Sequence, residues 1–221
     1  MGLALVTYAT SGAFAVYSRV LFSVHMMEHM SLTMIIPIFL VLGAPVTLLL
    51  QALEPRQDGT RGPREWILRL VHSGWSKVIT HPIFAAVNFA GSIVLFYFTP
   101  LFGVTLRYHV GHEFMMVHFL VTGYIFCLVL IGVDPIPRRP DYPIRIIMLV
   151  ATLGYHAFVG IAIMSTTVLL QASWYGNLGR AWGRSAIEDQ QYGGAFMWAL
   201  GEIPTMVLAV ILAIQWSRAG D

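Results

Sequence analysis

The sequence predicts an all-α protein: a polytopic transmembrane helix bundle of five to six spans with one amphipathic interfacial helix. Three observations lead there. The 221 residues are 57% hydrophobic and 11% charged, whereas a soluble domain carries about 25% charged residues. Mean hydropathy is +0.71. Apolar runs close to the ~20 residues needed to cross the hydrocarbon recur along the chain, and the loops between them hold most of the Lys and Arg.

The first run, Gly2 to Val16, is interrupted by TYATSG and is too short to span by itself, so it reads as the remnant or start of a helix. Spans follow at Val20 to about Leu42, His81 to Phe98, Glu113 to Val133, Ile144 to Leu170, and Gly193 to Trp216. Pro37 should bend the first of these and Gly43-Ala44-Pro45 should break it, leaving Val46 to Leu53 as a continuation or re-entrant piece. Between this span and the next, Pro63 opens a stretch that puts Trp66, Ile67, Leu70, Val71, Trp75 and Val78 on one helical face, away from Arg64, Arg69 and Lys77. Such a helix lies in the membrane surface. The whole, 1–221, reads as a single integral membrane domain, with 1–18 a short or truncated first helix and 54–80 a cytoplasmic loop carrying the interfacial helix.

If six segments alternate, Arg56, Arg61, Arg64, Arg69, Lys77, Arg138, Arg139, Arg145 and Arg218 share one side, against Arg19, Arg107, Arg180 and Arg184 on the other. The positive-inside rule makes the first side cytoplasmic and puts both termini there. A net charge of +2 with no basic block gives no reason to expect nucleic acid. The single cysteine, Cys127, excludes an intramolecular disulfide and any paired-thiolate metal motif.

Four histidines fall inside the spans: His25 and His29 on the first, His118 on the third and His156 on the fourth. A polar ring within a bilayer must face the protein interior, a partner or an ion, and imidazole is a common metal ligand. His25 and His29, four apart, share a helix face, with Glu28 beside them and Met30 one step round; Met115 and His118 share another face. Glu202 on the last span lies at a compatible depth. Imidazole with thioether and no thiolate suits copper, Cu(I) especially. His109 and His112, with Glu113, sit at the outer mouth, where a metal arriving from outside would enter. His72 and His81 read as interfacial.

The stretches SRVLFSVHMMEHMSLTMIIPIFLVLGAP, HEFMMVHFLVTGYIF with GVDP, YHAFVGIAIM and DQQYGGAFMWALGEIP resemble the CtaG-type multi-span cytochrome c oxidase assembly factors, which also occur fused to CopD-like domains. The likeness runs from about Ser18 to Trp216. It implies a non-catalytic role in supplying copper to, or otherwise assembling, a haem–copper oxidase. It also implies a bacterial plasma-membrane location, an oxidase subunit as partner and a copper donor at the outer face. The family's histidine positions match His25, His29, His112, His118 and His156. The chain departs in carrying only about 18 residues before the first histidine-bearing span, where family members usually have one or more complete helices. It thus reads as a short member or part of a longer protein.

Two other readings compete. In a haem-binding cytochrome, His29, His118 and His156 would supply axial ligands, with Gly123, Gly154 and Gly160 making room for the porphyrin. In a proton or ion pathway, Glu202 and His156 would be relay groups.

Overall fold

The computed structural model describes residues 1–56 and 60–220, which form helices and no strand. Four of them are long and apolar enough to cross a membrane: Phe22–Ala52 taken with its bends, His109–Ile131, Tyr142–Ser165 and Ala186–Ala219. A bent pair, Pro82–Tyr97 with Leu101–Arg107, makes a fifth.

The chain starts with α1 (Gly2–Thr10) and α2 (Ala13–Tyr17), broken at Ser11 and Gly12, whose φ of 73° stops the helix. The pair runs back along the first span, with Gly2 over Leu40 and Ala9 packed on Leu32, Ile36 and Met116. The first span is α3 (Phe22–Met30), a π-helical turn over Ser31–Ile35, and α4 (Ile36–Leu42). Pro37 removes the N–H that an α-helix would offer to the Thr33 carbonyl, and the widened turn falls at that point. Ala44 at φ 44° then turns the chain into α5 (Pro45–Ala52). Asp134 caps α5 from a distant loop, accepting from the Thr47 amide and hydroxyl, both at 2.8 Å.

The expected interfacial helix is two short ones, α6 (Pro63–Val71) and α7 (Gly74–Ile79), separated where the Ser73 hydroxyl caps the second by accepting from Ser76 N–H. Trp66, Leu70, Trp75 and Val78 are all exposed, so the apolar face is free for lipid. Next come α8 (Pro82–Tyr97) and α9 (Leu101–Arg107), which meet at 71°. α10 (His109–Ile131) begins four residues before the expected start and ends on Gly132 in the left-handed conformation.

The fourth expected span stops at Ser165 rather than Leu170, as α11 (Tyr142–Ser165). A loop with the single turn α12 (Ala172–Tyr175) leads to α13 (Ala186–Ala219), which starts seven residues earlier than expected. Its start is a capping box, Ser185 with Glu188. Hydropathy missed this first turn because Asp189, Gln190 and Gln191 are polar. All three are spent on neighbouring segments: Gln190 holds the loop through Leu170 N–H and the Val168 carbonyl, and Gln191 donates to Thr166. α11 and α13 touch at Gly160 and Gly194, where a side chain on either would meet the other helix's backbone.

Successive spans alternate in direction, so the chain has a histidine end, holding the starts of α3, α10 and α13, and a basic end. At the basic end Lys77, Arg138 and Arg139 line one cavity, which brings the two basic loops together.

Candidate metal centre

α3 carries His25, Glu28 and His29, all buried. His25 and Glu28 lie three apart on one face, and that face meets the first turn of α10, which contributes the buried His112. One ligand atom from each of His25, Glu28 and His112 falls within 4.8 Å of the others. The ring centres of His25 and His112 are 5.9 Å apart. The second nitrogen of His25, Nε2, pairs with the Tyr97 hydroxyl at 3.0 Å, which orients the ring.

Within this trio His25 Nδ1, Glu28 Oε1 and His112 Nε2 are buried and have no hydrogen-bond partner among the described residues. Each such atom costs about 1–3 kcal/mol while unpaired. A cation held by all three would satisfy them together. The set of two imidazoles and a carboxylate fits copper, and it fits zinc as well.

A second group lies one helical turn along. His29 and His156 have ring centres 6.0 Å apart and planes within 13°. His29 Nε2 and both nitrogens of His156 are likewise buried without a partner among the described residues. The Tyr97 ring stands beside both groups, 5.7 Å from His25 and 5.5 Å from His29.

The other expected ligands have the following surroundings. His118 is half-buried on another face of α10, its Nε2 paired with the Ser92 hydroxyl at 2.7 Å and its ring against Phe96. Met115 is buried and its sulfur accepts from the Thr105 hydroxyl at 3.5 Å. Met30 is buried with its methyl facing Gly201. Glu202, expected at a depth compatible with the histidines, is exposed. α13 turns Gly201, Pro204, Thr205 and Leu208 inward, and position 202 falls outside that stripe.

The glycines expected to make room for a porphyrin do not form a slot. The Thr33 carbonyl fills the space at Gly123, Trp198 and the Gly194 carbonyl fill it at Gly160, and Gly154 lies on the exposed surface.

The trio has an approach. A cavity of about 520 Å³ is lined by Arg19, His109, His112, Glu113 and Trp174 among others. His109 and Glu113 are exposed at its mouth, with Nε2 and carboxylate 3.9 Å apart. Arg19 is pinned there by donating to the Leu106 carbonyl at 2.8 Å, while its own carbonyl accepts from Trp174.

The model of the cytochrome c oxidase caa3 assembly factor family (Caa3_CtaG) matches residues 1–219. The chain belongs to this family. It is 45% identical over 218 residues to an uncharacterized protein of Mycobacterium leprae, and 46% identical over 218 residues to uncharacterized proteins of Mycobacterium bovis and Mycobacterium tuberculosis. Each match covers 98% of the chain but 33% of the relative, so the chain spans about a third of the length of these curated proteins. No solved structure matches.

Within this Caa3_CtaG chain, two site residues carried no readable local signal. Tyr97, at the end of α8, looks like any interfacial aromatic until the fold brings its hydroxyl onto His25. Asp189 looks like a loop residue until its carboxylate is found on Phe22 N–H and on Ser23. Glu28 was visible beside the histidine pair. Its membership of the trio depends on where α10 packs.

Proposed function

We propose that the chain handles copper for the assembly of a haem–copper cytochrome c oxidase, holding the ion as cargo at His25, Glu28 and His112 and catalysing no reaction. The observation that carries this is the convergence of His25, Glu28 and His112 to within ligand reach of one another, each also holding a buried atom without a hydrogen-bond partner among the described residues, below an open cavity. Family membership supplies the oxidase; the ligand chemistry supplies the metal. Copper from a donor would meet the His109 and Glu113 mouth first, pass His112 and settle against α3. An oxidase subunit would collect it.

In this reading the chain sits in the plasma membrane, with lipid around its apolar faces and the histidine end outward. The clustering of the two basic loops at the opposite end supports that orientation.

The test is elemental analysis and a visible spectrum of the purified protein, beside a His25→Ala/His112→Ala variant. Copper in the wild type, less of it in the variant and no Soret band are expected. Equal copper in both would overturn the site, and a Soret band would replace copper with haem. Zinc displacing copper under competition would keep the site and change the cargo.

A further inference from the structure

We propose that His29 and His156 form a second, deeper metal station that takes one Cu(I) ion between two imidazoles. The inference rests on the copper reading above and goes beyond it, because it gives the chain two places to hold the ion.

The ring separation reaches the upper limit for a shared ion, which requires the two rings to turn their nitrogens toward each other. A metal–imidazole bond is about 2 Å, and a ring nitrogen lies roughly 1 Å from its ring centre, so two imidazoles on one ion have centres up to roughly 6 Å apart. The rings of His29 and His156 are 6.0 Å apart and nearly parallel. They come from different spans, α3 and α11, so the pair is made by the fold and not by local spacing.

The nitrogens are free to bind. A buried histidine held for packing normally gives its ring N–H to a carbonyl or hydroxyl. His156 is 2% exposed, and neither of its ring nitrogens has such a partner among the described residues. The Thr33 hydroxyl donates to the His29 carbonyl at 2.7 Å and lies 3.4 Å from Nδ1 of the same ring. That leaves Nε2 as the unpartnered atom of His29.

The surroundings select the ion. Phe119 lies edge-on to His29 at 4.2 Å, Tyr97 is 5.5 Å away, and Phe89 is 5.5 Å from His156. Neutral ligands in an aromatic shell leave the whole charge of the ion uncompensated, which disfavours a divalent cation far more than a monovalent one. Cu(I) is a soft d10 ion that accepts two nitrogen ligands in line. The outer trio differs by its Glu28 carboxylate, which tolerates either charge. Cu(I) can occupy both stations, so passage from one to the other needs no electron transfer.

The geometry also links them. His25 and His29 stand one turn apart on α3, and Tyr97 packs against both rings while its hydroxyl holds His25. An ion released from the trio therefore has a second set of ligands about 6 Å further along the same helix.

The experiment is an anaerobic titration of the full chain in detergent with Cu(I) against a chromophoric Cu(I) chelator. Two equivalents are expected for the wild type and one each for His156→Leu and for His25→Ala/His112→Ala. The equivalent lost with His156→Leu should carry the X-ray near-edge feature of two-coordinate Cu(I), and His29→Leu should lose the same one. A monodisperse elution profile and an unchanged melting temperature qualify each variant, with His156→Asn as replacement should leucine disturb packing. One equivalent in the wild type, or two retained in His156→Leu, overturns the second station and leaves the outer site standing. No copper in the wild type at all overturns the functional reading and this inference with it.

Discussion

The carboxylate of Asp189, on the last span, accepts the hydroxyl of Ser23 at 2.5 Å at the start of the histidine-bearing helix. It also accepts Phe22 N–H at 2.6 Å, so one buried side chain caps α3 from another span. The start and phase of α3 decide where His25, Glu28 and His29 point. Asp189→Ala should cost about 1–2 kcal/mol as a lost cap and weaken copper binding with it. Asp189→Asn, which keeps an acceptor, should recover part of both. Thermal unfolding in detergent, with a copper titration, checks this, and wild-type behaviour of the alanine variant would refute the positioning role.

Tyr97→Phe removes only the hydroxyl that pairs with His25 Nε2. Loss of such an orienting partner typically weakens metal affinity about 10–100-fold. The affinity of the outer site should fall by that order, and because the ring contacts with Phe102 and Phe119 survive the loss of stability should be limited to the newly unpaired His25 Nε2, about 1–3 kcal/mol.

Glu28→Gln keeps the shape and removes the anionic ligand. A carboxylate favours the harder divalent ions, whereas imidazole serves copper in both states. The variant should therefore lose Cu(II) and Zn(II) more severely than Cu(I). Competition titrations with the three ions measure the ratio, and an equal loss for all would show that Glu28 does not act as a ligand.

Gly123→Ala would drive a methyl into the Thr33 carbonyl oxygen, at the π turn below His29. Overpacking of this kind costs about 1–3 kcal/mol. Gly154→Ala, on α11 with nothing within 4 Å, should instead be neutral or gain up to about 1 kcal/mol from helix propensity. Melting temperatures of the two variants should move in opposite directions or differ clearly in size.

Much of the architecture was legible in the residues. Pro37, the Gly43-Ala44-Pro45 break and the Pro63 start of the surface helix all appear where their backbone chemistry demands. The errors lie where polar residues are spent on distant partners. α13 begins at Ala186 because Asp189, Gln190 and Gln191 bond to other segments, and a hydropathy window scores those residues only as hydrophilic. The exposure of Glu202 was hidden for a related reason. Depth along a span can be counted from the sequence, but which way a residue faces depends on the stripe that packs, here Gly201, Pro204 and Thr205.

By itself the sequence determined that this is a membrane helix bundle with histidines inside it, since composition, apolar run length and proline and glycine chemistry act locally. The tertiary structure alone decided the grouping: His112 with His25 and Glu28, His156 with His29, and His118 turned to Ser92. The physical reason is rotational phase. A helix may turn about its axis without changing its hydropathy. Contacts between spans stop that rotation, Asp189 on α3 and the Thr33 carbonyl against Gly123 among them.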